Sequence, residues 1–367
     1  MRRSLVIKPR LLLLTNEERP GGATGQINGY ELMVQSGEIG SCRSISLKEG
    51  FDEASAQQRV LHAVKRTDYD VVVIWTPGAF PTTESQFTEI IEAINERPIL
   101  YWEGDPWGRA SDKKPVTKQM SWWMSHSEIV FSTAVDPHFS IFKELGATSI
   151  RHIPNTYCHL KFTNEEKYPP TLDSLNSGVD FSIIGSNTAR IPGLTGSPGA
   201  LRRWELVTRA RFGSRYSSRL YGAKWPKGWS EGLLGYELQG QEIRKSKVNL
   251  NWDNFDKYEG YSSDRLPIAL LAGRPHVTTK HPGMLWLPNE NIGLYQETSP
   301  KKVLNRGKEL LSIDPKIRFK LGLEAHKWVV NRLSHREAAR YIMSTFYEHI
   351  KKPTADPWGK LRQQSIK

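Results

Sequence analysis

Cysteine is scarce in this chain. Cys42 and Cys158 are the only two among 367 residues, and neither stands at a zinc or redox spacing. They cannot build a disulfide framework. The ten histidines are scattered, with no HExxH pattern and no close pair, so no metal site is expected. No GxSxG elbow occurs, which excludes a serine hydrolase of that type. Long apolar runs are missing too. Arg2 and Arg3 precede Leu11–Leu14, but Lys8, Pro9 and Arg10 interrupt the stretch and leave it too short for a signal-peptide core. Nothing approaches the roughly 20 apolar residues of a membrane span. Together these absences lead to the expectation of a cytoplasmic protein. Acid is also in deficit: 39 Asp and Glu against 51 Lys and Arg give a net charge of +12 and a pI near 9.5. Such an excess favours polyanionic partners such as nucleic acid, anionic lipid or phosphorylated substrates, with a plainly basic soluble protein as the other reading.

What is present is a repeated grammar. The length is about twice that of a usual domain, so two domains are expected. Twelve Trp imply large cores or aromatic ligand walls. β-Type runs at 10–16, 69–76, 98–103, 128–134 and 150–155 alternate with helical patterns such as 53–66 and 84–95. A polar stretch with Pro169, Pro170 and Asn176–Gly178 follows, and then the pattern restarts: strand 181–185, helix 200–212, strand 218–222, a helix near 237–245. The last part, 300–350, reads as helical. Alternation of this kind argues for βα units on parallel sheets. The expected class is α/β: two Rossmann-like domains facing across a cleft, with a helical C-terminal segment. The domains are placed at 1–160 and 180–350, joined by a linker at 161–179 and followed by a basic tail at 351–367.

The most informative stretch is KSKVNLNWDNFDKYEGYSSDRLPIALLAGRPHVTT, Lys245 to Thr279. It reads as strand (247–252), irregular polar loop (253–263), helix (265–272) and strand (276–279), with Gly273 and Pro275 stopping the helix. In an open α/β sheet such a loop lies at the carboxyl end of a strand and the amino end of a helix. Backbone N–H groups and the helix dipole there favour an anion, so a phosphate-bearing ligand is the natural reading.

In that setting an ordered set of segments resembles the CgeB-like (spore maturation type) group of GT-B glycosyltransferases. The carrying residues are DFSIIGS at 180–186, LRRWELV at 201–207, LYGAKW at 220–225, IRKSKVNLNW at 243–252, SDRLPIALLAG at 263–273 and, downstream, LGLEAHKWVV and LSHREAARYI. The first half adds ILYWEGDPW at 99–107 and KELGATSIRHIPNTY at 143–157. The resemblance covers most of residues 98–345; the first 97 match only in general βα character. It implies an enzyme that carries no permanently bound cofactor and uses a nucleotide-sugar as co-substrate. The donor would sit mainly in the second domain and the acceptor mainly in the first, with the diphosphate held by a helix amino terminus and basic side chains. One departure stands out. Related retaining enzymes carry a carboxylate five residues before the glycine that ends this helix, and here that position is Ile268. Glu259 also sits one place off the position of the first acidic residue of that pair.

The candidate donor residues are therefore Gly260, Tyr261, Ser262, Ser263, Asp264 and Arg265 of the loop and helix start. Ser186 and Arg190 follow the first strand of the second domain, Tyr221 and Lys224 the next, and Asn251 ends the third. Arg265 offers a planar fork for phosphate. Asp264 is equally well read as an ordinary dipole partner at a helix start, and Trp225 either stacks on a base or packs in the core. The candidate catalytic carboxylates are Glu103 and Asp105, which end a strand of the first domain where a general base would serve, and Glu259. Gly21, Gly22 and Gly25, with Gly29, form a weaker candidate for close backbone approach to phosphates, because GGATGQING is no true GxGxxG. Asp68–Tyr69–Asp70 mimics a DxD metal motif but precedes its strand, at the wrong end of a sheet. Arg202, Arg203, Arg209, Arg211, Arg215 and Arg219 crowd one window against the single acid Glu205, and Lys351, Lys352, Lys360, Arg362 and Lys367 crowd the tail against Asp356. They read either as a solvated face or as a rim for a polyanionic acceptor. DNA carrying hydroxylated bases, teichoic-type polymers and phosphorylated lipids all suit such a rim. A non-catalytic nucleic-acid-binding protein on the same fold is the rival of a different class.

Overall fold

A computed structural model of the protein describes residues 8–15, 25–46, 53–75, 83–104, 116–172, 178–188 and 198–350. The chain forms two compact units. The first holds the residues up to Pro154 together with the segment from His335; the second begins at Asn155 and runs to Ser334.

In the first unit six parallel strands lie in the order β2-β1-β3-β4-β5-β6: β1 (Arg10–Thr15), β2 (Ser41–Ser46), β3 (Val71–Trp75), β4 (Ile99–Glu103), β5 (Ile129–Ser132) and β6 (Ile150–His152). RLLLLT, VVVIW and ILYWE are buried almost throughout. Helices on both faces of a parallel sheet demand such runs. Leu12, Leu14, Val72, Ile74, Tyr101 and Val130 form one core with α2 (Glu53–Arg66), α3 (Glu84–Ile94) and α4 (Lys118–Ser125). α3 starts on a capping box, with the Thr83 side chain accepting from Gln86 N–H and the Gln86 side chain reaching back to Thr83.

The first unit is completed by the last described helix, α12 (His335–His349), which packs on α1 (Gly25–Gln35). A Cβ on Gly29 would stand 3.1 Å from both the Ala339 Cβ and the His335 carbonyl oxygen, so the helices meet backbone to backbone there. The Tyr341 hydroxyl donates to the His152 carbonyl (2.9 Å) and the Tyr347 hydroxyl to the Glu38 carbonyl (3.2 Å). Two expectations are corrected here. Residues 335–349 belong with the first unit, because α12 covers α1. Gly25 belongs to α1, and its neighbour Gly29 serves helix packing; neither stands in a loop. Gly21 and Gly22 lie outside the described residues.

The second unit has five parallel strands in the order β11-β10-β9-β7-β8: β7 (Val179–Ile184), β8 (Ser218–Tyr221), β9 (Ser246–Leu250), β10 (His276–Thr279) and β11 (Leu294–Glu297). α7 (Pro198–Phe212), α10 (Pro300–Ser312) and α11 (Pro315–Val330) supply most of its helical cover, with the shorter α8 (Gln239–Arg244) and α9 (Arg265–Leu271). Phe181, Val248, Leu250, Leu206, Val303 and Leu304 lie in its core. The stretch expected to be a linker belongs to this unit: it contains α6 (Thr163–Lys167), and the Glu165 carbonyl accepts from Arg244 Nη2 (2.9 Å) and His326 Nε2 (2.8 Å).

Candidate functional site

In the second sheet the chain leaves β7 for β8 on one side and returns to β9 on the other. A reversal of strand order opens a crevice beyond the carboxyl ends, here after β7 and β9. The loop after β7 is zipped to the loop after β8. Gly185 N–H donates to the Tyr221 carbonyl (2.9 Å), Asn187 N–H to the Ala223 carbonyl (2.9 Å), and Asn187 Nδ2 to the Lys224 carbonyl (3.0 Å). Ser186 Oγ accepts from Ala223 N–H (3.0 Å). Gly222 has φ +133° and lies so near Gly185 that a Cβ would stand 2.5 Å from its carbonyl group. Only glycine fits both conditions. Lys224, at φ 63°, carries its side chain into solvent.

Arg203 is the buried cation of this crevice. Near the start of α7, Gly199 has no room for a Cβ beneath the Asp253 and Asn254 carbonyl oxygens, which brings the helix directly under the end of β9. About one turn later the Arg203 guanidinium, 2% exposed, donates from Nε to the Trp252 carbonyl (2.7 Å) and from Nη1 to the Ser186 carbonyl (3.2 Å). It thereby ties together the two strand ends that define the switch point. Its Nη2 has no partner among the described residues. Burial, and then the like charge of Arg265, bring its pKa down to about 9, so it stays charged at neutral pH. The reading of Arg203 as part of a basic surface, whether a rim for a polyanion or a solvated face, is corrected: it shares the buried stripe of α7 with Leu206, Val207 and Ala210.

Around Asp253, 1% exposed, the other polar groups converge. Its carboxylate accepts from Ser263 Oγ (2.6 Å), Ser263 N–H (3.2 Å) and Asn251 Nδ2 (2.9 Å), and lies 3.8 Å from His281 Nδ1. Burial alone would raise its pKa. The charges of His281 and Arg265 and the bonds from Ser263 and Asn251 outweigh burial and bring it down to about 2. Burial also drives His281 toward its neutral form. At neutral pH, therefore, Arg265, Ser263 and Asn251 hold the charge. His281 Nδ1 meets the Tyr261 carbonyl at 3.0 Å. Asn251 Oδ1, His281 Nε2 and Arg265 Nε are buried without a partner among the described residues, as is Arg203 Nη2. An unpaired buried donor or acceptor costs about 1–3 kcal/mol. Four of them in one neighbourhood mark a place made to be completed by something else.

The remaining candidates fall into two sets. Gly260, Tyr261, Ser262 and Ser263 sit in the loop as expected, each with a structural tie. Gly260 N–H donates to the Pro282 carbonyl (2.8 Å) and the Ser262 carbonyl accepts from Asn155 Nδ2 (2.8 Å). Asp264 precedes α9 without a side-chain cap and lies 3.9 Å from Arg265 Nη1. Glu259 packs on Gly283, where a Cβ would meet the glutamate side chain. Asp256 holds the loop to its surroundings by accepting from Trp252 Nε1 (3.0 Å) and Arg202 Nη1 (3.3 Å). Tyr221 points elsewhere: its hydroxyl donates to Glu242 at 2.6 Å, and burial, then that bond, raise its pKa to about 12. Trp225 takes the packing alternative, stacked on Trp204 at 5.5 Å, with its Nε1 donating to the Gly185 carbonyl (2.9 Å). Arg190 lies outside the described residues.

In the first unit Glu103 ends β4, wholly buried, and accepts from the Tyr101 hydroxyl at 2.7 Å. Beside it Trp102 stacks on Trp75 of the neighbouring strand, ring centroids 3.5 Å apart, and His335 meets Trp75 edge-on at 5.2 Å. Asp105 lies outside the described residues. Asp68 and Asp70 both pair with Arg10 at the amino ends of β1 and β3, the end expected for them. Among the described residues no group of three His, Cys, Asp or Glu is placed to hold a metal ion, and no helix is long and apolar enough to cross a membrane. The basic window is mostly engaged locally. Arg209 pairs with Glu205 (2.7 Å), Arg219 lies 3.8 Å from Glu242, Arg211 donates to the Gly228 and Trp229 carbonyls, and Arg215 lies over Tyr216. The tail from 351 lies outside the described residues.

No protein-family model and no curated protein sequence matches this chain. Solved structures, however, match its fold over nearly the whole length. An alpha-glucosyltransferase in complex with UDP and a 13-mer DNA containing an HMU base is 12% identical, with 94% of this chain and 100% of that one covered at a TM-score of 0.63. Sucrose-phosphate synthase from Thermosynechococcus elongatus is 12% identical over 93% of this chain and 99% of its own, at 0.57. Anabaena HepE in complex with UDP-glucose is 12% identical over 93% and 100%, at 0.52. All three are GT-B glycosyltransferases, and this chain has their fold: two Rossmann-like units of the GT-B type.

Proposed function

We propose that the protein is a glycosyltransferase that moves a sugar from a nucleotide-sugar to an acceptor hydroxyl, with the donor held by the second unit. The observation that carries this reading is the pair Arg203 and Arg265 at the switch point of the second sheet. Each has a buried N–H without a partner among the described residues, and Arg265 is close enough to lower the pKa of both Arg203 and Asp253. Two guanidinium groups fixed in a crevice of low dielectric suit a diphosphate, which accepts many hydrogen bonds and offers none. The structures of like fold that hold UDP or UDP-glucose support the same reading. The CgeB-like resemblance is the finer family assignment. Glu103 and Asp105 are the proposed acceptor-side carboxylates, and Glu259 the third candidate.

The test is thermal stability against a series of UDP, GDP, ADP, TDP, CMP and their sugars. A ligand at a hundredfold its Kd adds roughly 2.7 kcal/mol. Arg203→Ala or Arg265→Ala is expected to remove most of that gain. No shift across the whole series overturns the donor reading.

A second reading concerns the acceptor. The net charge of +12 and the likeness to an enzyme solved with DNA containing an HMU base favour hydroxymethylated bases of DNA. DNA with 5-hydroxymethyl pyrimidines, incubated with mixed nucleotide-sugars and read by nucleoside mass spectrometry, should then gain a hexose or pentose. Binding without any increment in mass favours the non-catalytic nucleic-acid-binding alternative.

A further inference from the structure

The unpartnered atoms around Asp253 are of two kinds, and a diphosphate answers only one of them. Arg203 Nη2 and Arg265 Nε are donors, satisfied by phosphate oxygens. Asn251 Oδ1 and His281 Nε2 are acceptors, and both orientations are locked. Asn251 must turn its Nδ2 toward Asp253, at 2.9 Å, because the opposite rotamer would set amide oxygen against carboxylate. His281 must carry its proton on Nδ1, because the Tyr261 carbonyl 3.0 Å away can only accept. Nε2 of the neutral ring is then a lone pair. An ionised diphosphate has no hydrogen to give to either atom.

We propose that Asn251 Oδ1 and His281 Nε2 accept hydrogen bonds from hydroxyl groups of the bound nucleotide-sugar, and that these two residues contribute to the choice of donor. The inference rests on the donor reading above and deepens it. Asp253 is the positioning residue: it grips the Asn251 amide and lies 3.8 Å from the His281 ring, so that both acceptors gather about one carboxylate, in the same neighbourhood as the arginines. A site built this way rejects a ligand that lacks the hydroxyl, because the buried acceptor would stay unpaired. Sugar and ribose both present such hydroxyls, one on each side of a diphosphate.

The experiment compares affinities for UDP, UDP-glucose and 2′-deoxy-UDP, or the same trio of another base if the nucleotide series selects it. The chain is used whole, as wild type, as His281→Asn and as Asn251→Ser. Asn at 281 keeps a donor for the Tyr261 carbonyl and loses the Nε2 acceptor. If the sugar hydroxyls are read, the ratio of Kd for UDP to Kd for UDP-glucose falls about tenfold, or 1.4 kcal/mol, in the variants. If the ribose is read, the preference for UDP over 2′-deoxy-UDP falls instead. Ratios unchanged in both arms overturn the proposal. A second measurement needs no variant: in histidine-labelled wild type, the His281 Nε2 resonance moves upfield as its lone pair accepts a hydrogen bond on ligand binding. An unmoved resonance in the saturated complex likewise overturns it. Wild type that binds none of the nucleotides fails the donor reading itself, a result distinct from equal ratios.

Discussion

At the carboxyl end of the first sheet, Trp75 and Trp102 stack at 3.5 Å, and Glu103 is closed off beside them with the Tyr101 hydroxyl as partner. At the same end of the second sheet the Asn251 amide, two guanidinium groups and a neutral imidazole, gathered about the Asp253 carboxylate, keep hydrogen-bonding capacity with no partner among the described residues. Strand order does not cause this difference. β2-β1-β3-β4-β5 and β8-β7-β9-β10-β11 are the same arrangement. The fold supplies a crevice twice over; the side chains at the strand ends decide what each crevice is for. Among the described residues an aromatic stack with Glu103 buried beside it stands at the first, and a polar cluster at the second.

The largest expected effect breaks the first half of that contrast. Trp102→Ala should cost about 3–5 kcal/mol in urea unfolding, the range for deleting a buried Trp, while the nucleotide-induced shift remains. Loss of nucleotide response with unchanged stability would place the aromatic pair in the donor site and dissolve the contrast.

Next come two titrations in the second unit. His276 is pushed down to about 3, first by burial. The unfolded chain binds its proton near 6.5 while the folded one does not, so stability falls as pH drops from there toward 3, by about 1.4 kcal/mol per unit. Asp253 has the opposite charge type and the same outcome at lower pH. With a folded pKa of about 2, its contribution is complete above about 4 and is lost as pH falls through 2. His276→Gln should flatten the first arm. Asp253→Asn should flatten the second and remove about 2.5 kcal/mol at neutral pH. An acid profile identical to wild type in both variants would mean that these groups are not buried as described.

The smallest effect on stability is expected at the surface. Charge reversal at Arg209, Arg211 and Arg215, all exposed, should change folding free energy by less than about 0.5 kcal/mol each. If they reach phosphates of a polyanion, the same triple change flattens the slope of log affinity against log salt by about two to three. A salt slope equal to wild type would leave them as an ordinary solvated face.

How much of this was legible in sequence depended on where contacts came from. Strands buried on both faces, such as VVVIW and ILYWE, announce themselves as apolar runs. β2 (SCRSIS) and β11 (LYQE) do not, and both are edge strands. An edge strand has one neighbour, so its composition is less constrained. Arg203 was readable in principle, since its spacing of three, four and seven to Leu206, Val207 and Ala210 puts it on the apolar stripe of α7. The adjacent Arg202 masks that spacing in LRRWELV. Gly29 was not readable, because its reason is a helix more than three hundred residues away along the chain. The neighbours of Asp253 were legible only in part. Asn251 and Ser263 follow from the loop's place at the strand end, whereas His281 lies past the next strand and reaches Asp253 only through the sheet.

The late arrival of α12 has a consequence for how the protein is made. A ribosome delivers every strand of the first sheet before any strand of the second, yet the helix that covers α1 emerges only after every strand of the second sheet. The usual order, in which an amino-terminal domain is finished first, is therefore reversed here. The second unit can close while the first still exposes the Gly29 face of α1. During that interval the nascent chain presents an uncovered apolar surface to chaperones, and any stop codon before His335 would make that exposure permanent.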